Sequence, residues 1–237
     1  MIIDKIDRPP LEIVEGFKDL LRDDSITCAI SDCMGRLNAM TSDVKPLFDG
    51  IRFAGPAVTV KTLASDLAAP CKAIDVCRPG DVLVIDCRRS EDTAFWGENM
   101  TLSALHRGVA AVVIDGACRD VEEIRKLKFP VICRGIVPNV GSISGYGDVN
   151  VLIQCSGVAV APGDIVVADG NGVVVVPRGE SESILEKTRR LLETERLLQA
   201  RIKAGATIGE LIDIDEIFRT SFSYQQRATE NPRASSD

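Results

Sequence analysis

Two acidic residues and an arginine are spaced so that they could form a catalytic site. Glu98 follows Trp96 and Gly97, and twenty residues separate it from the adjacent pair Arg119 and Asp120. Acidic side chains at one edge of a sheet can hold a hard divalent cation, and an arginine beside them can bind a carboxylate or stabilise an enolate. The residue types and their spacing therefore predict metal-assisted chemistry on a small anionic substrate.

Both segments follow predicted strands of a parallel sheet. Apolar runs over 82–86, 110–114 and 131–134 alternate with helical patterns over 98–107 and 120–126. This alternation is typical of crossover connections between parallel strands. Because ligands of open α/β sheets bind outside the carboxyl ends of the strands, we expect the two polar segments to meet at that edge.

The rest of the chain divides into an N-terminal part, an antiparallel β part and C-terminal helices. We expect one domain over residues 1–221 and a disordered polar tail over 222–237. The remaining elements are predicted as a helix over 10–23, a short strand over 25–29, a strand over 52–62, a helix over 66–76, closely spaced antiparallel strands over 149–154, 157–160, 164–168 and 172–176, and helices over 180–204 and 208–218.

Composition excludes several classes of protein. The 237 residues carry a net charge of -7 with acidic and basic side chains interspersed, which argues against a nucleic-acid-binding surface. No apolar run approaches the length of a membrane span, so we expect no membrane association and a soluble, cytoplasmic protein. The eight cysteines are irregularly spaced, which favours reduced and mostly buried thiols, with Cys118 notable only because it precedes Arg119.

Each candidate residue also has a simpler structural interpretation. Glu98 could complement the dipole of the following helix, Asp120 could cap the next helix, and Arg119 could be a solvated loop residue. His106 is the sole histidine, and a surface or packing role suits it better than catalysis. Acid–base chemistry would then fall to carboxylates, lysine or metal-bound water.

The chain resembles the RraA-like family, which includes the 4-hydroxy-4-methyl-2-oxoglutarate/4-carboxy-4-hydroxy-2-oxoadipate aldolases. The resemblance extends over residues 25–210, and it includes the segments 53–60, 79–84 and 161–169 together with the acidic residue that precedes Arg-Asp by twenty positions. It implies an α/β sandwich of the swivelling β/β/α type, with a parallel βαβ part and an antiparallel β part. It also implies homotrimers or homohexamers with sites between neighbouring subunits.

The resemblance further implies roles for individual residues. Asp120 would be the ligand of Mg2+ or Mn2+, Glu98 would orient a metal-bound water, and Arg119 would contact the oxygens of a small 2-oxo acid substrate. Backbone amides of Gly97, Glu98, Asn99 and Met100 would bind the substrate carboxylate.

A further acidic residue would come from the C-terminal helix of the neighbouring subunit. Glu195 matches that position best by its distance from Ala204 and Gly205, with Glu193 as a substitute. A solvated helix face is an equally good interpretation of Glu195.

The implied activity is that of a metal-dependent lyase that cleaves a 4-hydroxy-2-oxo acid to release pyruvate, with oxaloacetate decarboxylation as a side activity. One departure bears on substrate choice, because the family's aldolases usually carry Asp where this chain has Glu98. Two alternatives stay open: a non-catalytic, protein-binding regulator of ribonuclease activity, and a lyase with the same type of site acting on another hydroxy acid or sugar acid.

Overall fold

A mixed β-sheet flanked by helices carries the candidate residues. The computed structural model describes residues 1–63 and 65–221. Its helices are α1 (Leu11–Leu20), α2 (Ile26–Cys33), α3 (Ala68–Val76), α4 (Glu98–His106), α5 (Val121–Leu127), α6 (Ser181–Lys203) and α7 (Ile208–Leu211). Its strands are β1 (Lys45–Pro46), β2 (Phe53–Lys61), β3 (Val82–Asp86), β4 (Ala111–Ile114), β5 (Ala117–Cys118), β6 (Val131–Cys133), β7 (Gly135–Ile136), β8 (Asp148–Val149), β9 (Ile153–Cys155), β10 (Val158–Val160), β11 (Ile165–Asp169) and β12 (Gly172–Val176).

The main sheet combines a parallel centre with antiparallel edges. Strands β2, β3, β4 and β6 pair in parallel, and α3, α4 and α5 form the crossovers between them. Strands β11 and β12 extend the sheet beyond β2 in antiparallel register, and β1 pairs antiparallel with β6. This arrangement confirms the predicted α/β fold with a parallel βαβ part and an antiparallel part.

Alternate residues of the central strands pack into two separate apolar clusters. On β3, Leu83 and Ile85 belong to one cluster, whereas Val82 and Val84 belong to the other. Side chains of a strand point alternately to opposite faces, so a strand covered on both faces must be apolar throughout. Polar side chains that could do chemistry must therefore lie in the segments that follow the strand ends.

Two predicted strands differ from the structure. The segment predicted as a strand over 25–29 belongs to α2, because Ile26 and Ile30 lie one helical turn apart and are both fully buried against the β11–β12 pair. The predicted strand over 149–154 is interrupted at Asn150, whose positive φ of 60° breaks the extended conformation between β8 and β9.

The described residues form two units, Met1–Arg189 and a second that starts at Arg190. The second unit contains the end of α6, α7 with a capping box between Thr207 and Glu210, and further helix over 214–221. A single domain over residues 1–221 stays a prediction, and the predicted disordered tail lies outside the described residues. None of the helices described here is both long and apolar enough to cross a bilayer.

Candidate active site

The two candidate segments lie side by side beyond the carboxyl ends of β3 and β4. The amide of Phe95 donates to the carbonyl of Ala117 at 2.9 Å, and the amide of Arg119 donates to the carbonyl of Trp96 at 2.9 Å. These bonds fix the start of α4 against the start of α5. The structure thus brings together Gly97, Glu98, Arg119 and Asp120, as the positions of the strand ends predicted.

Asp120 does not cap its own helix. It occupies the residue before α5 with a left-handed backbone (φ 55°, ψ 39°), and its side chain makes no capping hydrogen bond. Instead its Oδ2 atom accepts a hydrogen bond of 3.0 Å from the backbone amide of Glu98. The Nε atom of Arg119 lies 3.6 Å from the same oxygen. The carboxylate is therefore aimed at the neighbouring segment rather than used for local helix capping.

The close approach of Asp120 requires glycine at position 97. A Cβ atom added to Gly97 would lie 2.6 Å from Oδ2 of Asp120 and 3.3 Å from Cγ of Arg119. The backbone of Gly97 is extended (φ -159°), a conformation open to any residue, so contact with the carboxylate and not backbone strain excludes a side chain here.

The start of α4 offers backbone donors that have no partner within the helix. The amide of Glu98 is bonded to Asp120, whereas those of Asn99 and Met100 belong to the first turn and have no partner within the helix. The Thr101 hydroxyl donates to the carbonyl of Gly97 at 3.0 Å, and the Trp96 indole donates to the same hydroxyl at 2.8 Å. This side-chain bridge holds the first turn in place, and such a turn suits a carboxylate ligand.

A cleft of about 320 Å³ opens beside these groups. Its lining residues are Leu67, Cys71, Ala94, Trp96, Gly97, Asn99, Met100, Arg119, Asp120, Val140, Gly141 and Ile143. Glu98 is half-buried and is not among them, and the described structure gives its side chain no hydrogen bond or ion pair. Its observed contribution to the site is its backbone amide.

Asp66 links two backbone segments that line the cleft, near Leu67 and near Ile143. Its buried carboxylate accepts hydrogen bonds from the backbone amides of Ala68 at 2.8 Å, Ser144 at 3.1 Å and Tyr146 at 3.3 Å. Burial alone would raise the pKa of Asp66, but the backbone donors outweigh it and hold the pKa below its ordinary value. Sequence reasoning assigned Asp66 only to a helix, because its partners Ser144 and Tyr146 lie about eighty residues further along the chain.

Replacing Asp66 should lower the free energy of unfolding, and the size of the loss should depend on pH. Asp66→Asn exchanges one acceptor oxygen for a donor group, so we expect a loss of about 1–3 kcal/mol of folding free energy at pH 7. Since the folded-state pKa lies below 3.8, the ionised carboxylate stabilises the fold above that pH and this stabilisation disappears as the pH falls through the folded value. Urea unfolding at several pH values should show the deficit of the variant shrinking in acid.

The control for this experiment is Asp75→Asn. Asp75 is exposed, and in the described structure its carboxylate pairs only with Lys72, so its replacement should change stability by no more than about 0.5 kcal/mol. Equal stabilities of wild type and Asp66→Asn at pH 7 would contradict the role assigned to Asp66.

A buried ion pair fixes the strand end that leads to Arg119. The guanidinium of Arg134, after β6, bonds to the carboxylate of Asp115, after β4, and both side chains are 1% exposed. The second carboxylate oxygen of Asp115 accepts from the amide of Ser156 at 3.0 Å, and Arg134 also contacts Asp43 at 3.0 Å. Sequence reasoning missed this pair, although an Asp and an Arg directly after two neighbouring strands could have indicated it.

Neither Cys118 nor His106 lines the cleft. The Cys118 thiol is fully buried, with its Sγ atom 3.4 Å from that of Cys133. The hydrogen bond to Cys133, together with burial, raises the pKa of Cys118 and keeps the thiol neutral. His106 is exposed at the end of α4 and does not line the cleft. Both observations agree with the structural roles expected from the sequence.

Comparison with known proteins decides the family. The sequence profile of the RraA-like family, described as Aldolase/RraA, matches residues 27–175, well over half of the chain. The chain belongs to the RraA-like family. This membership confirms the resemblance seen in the sequence motifs.

Relatives within the RraA-like family carry both aldolase and regulator names. A Halalkalibacterium halodurans protein, provisionally named 4-hydroxy-4-methyl-2-oxoglutarate aldolase, is 39% identical over 69% of this chain and 78% of its own length. A Thermus thermophilus protein named 4-hydroxy-4-methyl-2-oxoglutarate aldolase is 32% identical over 65% of this chain and 94% of its own. A solved structure described as the RNA-processing inhibitor RraA from Thermus thermophilus has a TM-score of 0.59 at 32% identity, covering 64% of this chain and 92% of that one.

The donor set of this RraA-like chain fits a metal ion that takes few protein ligands. Within the described residues, no three side chains of His, Cys, Asp or Glu come together as a metal cage. Asp120 is 38% exposed and has one oxygen bonded to the Glu98 amide, which leaves Oδ1 without a hydrogen-bond partner in the described structure. Mg2+ is commonly bound by one or two carboxylates while it retains several waters, so one free carboxylate oxygen suits it.

The acidic residue expected from a neighbouring subunit lies on α6. Glu195 is half-buried and Glu193 is exposed, and both belong to the second unit of the chain. The expectation concerns the helix of another RraA-like subunit, so the participation of Glu195 or Glu193 stays a prediction.

Gly97→Ala should damage the site without damaging the fold. The added methyl group would push Asp120 and Arg119 out of position, and a displacement of about 1 Å can cost about 10²-fold in rate. We expect a loss of that size in kcat/KM with little change in thermal stability. Gly179→Ala is the control, because a Cβ atom there meets nothing within 4 Å. Wild-type activity in Gly97→Ala would show that Asp120 does not need its present position.

Proposed function

We propose that this chain is a divalent-metal-dependent lyase that cleaves a 4-hydroxy-2-oxo acid and releases pyruvate. The observation that carries the proposal is the position of Asp120, which lines the cleft beside Arg119 and whose carboxylate is held by the Glu98 amide. The aldolase names of the relatives support the same reaction class.

The cleft would bind the pyruvoyl end of the substrate at its polar side. The unpaired amides of Asn99 and Met100 at the start of α4 would hold the carboxylate, aided by the helix dipole. The guanidinium of Arg119 would contact the 2-oxo oxygen and stabilise negative charge that develops there. Both groups line the cleft, so a small anion can reach them together.

Asp120 would hold Mg2+ or Mn2+ through its free oxygen. When bound, the ion would supply Lewis-acid stabilisation of the negative charge on the substrate oxygens. Asp120 itself stays fixed throughout, because its other oxygen is bonded to the backbone of α4.

Glu98 would orient and polarise a water molecule. This water would take the proton from the C4 hydroxyl, and the C3–C4 bond would then break with formation of a carbonyl at C4. The electron pair of the broken bond would become the enolate of pyruvate, which gains a proton at C3. Glu195 of a neighbouring subunit would assist this proton transfer, and the sites would accordingly lie between the subunits of a homotrimer or homohexamer in the cytoplasm.

The same stabilised enolate would allow a second reaction. Loss of carbon dioxide from oxaloacetate leaves the enolate of pyruvate at the same position, so decarboxylation of oxaloacetate is the expected side activity.

The test is pyruvate release from 4-hydroxy-4-methyl-2-oxoglutarate and from oxaloacetate, each with Mg2+, with Mn2+ and with EDTA. We expect pyruvate with either metal and none after chelation. Pyruvate formation that is unaffected by EDTA would contradict metal dependence. No pyruvate from either compound would leave a different hydroxy acid or sugar acid as the substrate.

A non-catalytic regulator of ribonuclease activity is the second candidate. The observation that favours it is the likeness to the structure described as an RNA-processing inhibitor. We rank it second because this chain retains the acidic residue Glu98 before Arg119-Asp120. Inhibition of a purified ribonuclease that is unchanged in Asp120→Asn would support it, since a binding surface does not need the metal ligand.

A further inference from the structure

Trp96 is hydrogen-bonded to both segments that form the candidate site. Its backbone carbonyl accepts the amide of Arg119 at 2.9 Å, which joins it to the segment at the start of α5. Its indole Nε1 atom donates to the Thr101 hydroxyl at 2.8 Å, which joins it to the first turn of α4. The ring also stacks on Phe129, with centroids 6.0 Å apart and planes 9° from parallel. Trp96 therefore links the two segments whose relative position the proposed reaction requires.

The Thr101 hydroxyl extends this connection to the backbone of α4. An indole N–H can only donate, so the hydroxyl accepts from Trp96 and uses its own proton for the carbonyl of Gly97 at 3.0 Å. The same carbonyl accepts the backbone amide of Thr101, also at 3.0 Å. The peptide that leads into α4 is thus held by two hydrogen bonds from one residue.

Burial makes the hydroxyl of Thr101 hard to replace. Thr101 is 0% exposed and Trp96 is 1% exposed, so bulk water cannot substitute for either hydrogen bond. Valine is close to threonine in size and would fill the same space. What threonine adds at this position is therefore the hydroxyl and the geometry that it imposes.

We propose that Thr101 is a positioning residue for the reaction, acting through Trp96 and Gly97. This inference rests on the proposed lyase function. The hydroxyl fixes the first turn of α4, with its amides that have no partner within the helix, relative to Arg119. The substrate carboxylate and the developing enolate are thereby held at their separate groups at the same time. Without the hydroxyl the first turn can shift, and a displacement of about 1 Å can cost about 10²-fold in rate.

The experiment measures exchange of the C3 protons of pyruvate with deuterium in the presence of Mg2+, for wild type, Thr101→Val and Thr101→Ser. Thr101→Val should raise KM and lower kcat, with a combined loss in kcat/KM of about tenfold to 10²-fold. Thr101→Ser restores the hydroxyl and should recover most of this loss. Trp96 is the sole tryptophan of the chain and lines the cleft, so its fluorescence reports pyruvate binding in all three proteins.

Thr188→Val is the matched control for Thr101→Val. Thr188 is also fully buried, and its hydroxyl donates to the carbonyl of Ile184, four residues earlier, at 2.8 Å. It lies on α6 and does not line the cleft. Its replacement removes the same kind of hydrogen bond, so it should lower thermal stability while the exchange kinetics of the folded protein stay as in wild type.

Trp96→Phe tests the bridge from its other end, and it keeps the test available if Thr101→Val does not fold. Phenylalanine retains an aromatic ring against Phe129 but has no N–H to donate. We expect a smaller loss in kcat/KM than in Thr101→Val, because the bond from the hydroxyl to Gly97 remains. The double variant should lose less than the product of the two single losses, since both changes remove the same hydrogen bond.

The behaviour of wild type separates this inference from the proposed function. Exchange in wild type together with unchanged kinetics in Thr101→Val, or with a loss that serine does not recover, would overturn the role of Thr101 and leave the lyase standing. The absence of both exchange and pyruvate binding in wild type would overturn the lyase and the positioning role with it.

Discussion

Asp120→Asn should reduce kcat by at least about 10³-fold, because it removes the charge proposed to bind the metal ion. The loss of Lewis-acid stabilisation amounts to several kcal/mol in the transition state, and each 1.36 kcal/mol is about a factor of ten. The asparagine oxygen can still accept from the amide of Glu98, so the local backbone should keep its conformation. Titration of the apoprotein with Mn2+, followed by electron paramagnetic resonance, should show that binding is lost along with activity.

Glu122→Gln is the matched control for Asp120→Asn. Glu122 is exposed on the first turn of α5, two residues from Asp120, and its replacement removes the same charge without touching the cleft. It should retain metal binding and turnover. Normal Mn2+ affinity in Asp120→Asn would mean that Asp120 is not the ligand.

Arg119→Ala should reduce kcat by about 10²–10³-fold, the usual cost of removing one group that stabilises developing charge. Arg119→Lys keeps a positive charge but loses the planar donor pair, so it should recover only part of the rate. Stability should hardly change, because Arg119 and Asp120 are 36% and 38% exposed and such pairs contribute about 0–1 kcal/mol.

The division of the Arg119 effect between kcat and KM identifies its role. A group that stabilises the enolate acts on kcat, whereas a group that only attracts the substrate acts on KM. Arg36→Ala controls for loss of one charge, since that side chain is 86% exposed. A change confined to KM in Arg119→Ala would contradict a role in stabilising the enolate.

Local patterns in the sequence were sufficient to predict the parallel part of the fold and the meeting of Glu98 with Arg119 and Asp120. The apolar runs that form β3 and β4 alternate with helical patterns, which indicates parallel strands, and the carboxyl ends of neighbouring parallel strands must share an edge. The segment that forms α2 was mistaken for a strand because short apolar runs do not distinguish the two.

The contacts that support the site could not be predicted from local sequence patterns. Asp66 accepts hydrogen bonds from backbone amides near residue 145, and Asp115 accepts them from Arg134 and from the amide of Ser156. These partners are far apart in the sequence and meet only in the folded structure, so the spacing of residue types along the chain does not identify them. The orientation of Asp120 away from its own helix likewise depends on a left-handed backbone that the sequence does not specify.

The most direct measurement is exchange of the C3 protons of pyruvate in deuterium oxide, followed by NMR, for wild type and Asp120→Asn. Pyruvate is the product common to all substrates of the proposed class, so the result does not depend on which of them is natural. We expect exchange with Mg2+ in wild type, none after EDTA, and none in Asp120→Asn. Folded wild-type protein that catalyses no exchange with Mg2+ or Mn2+, or a variant that exchanges as fast as wild type, would contradict it.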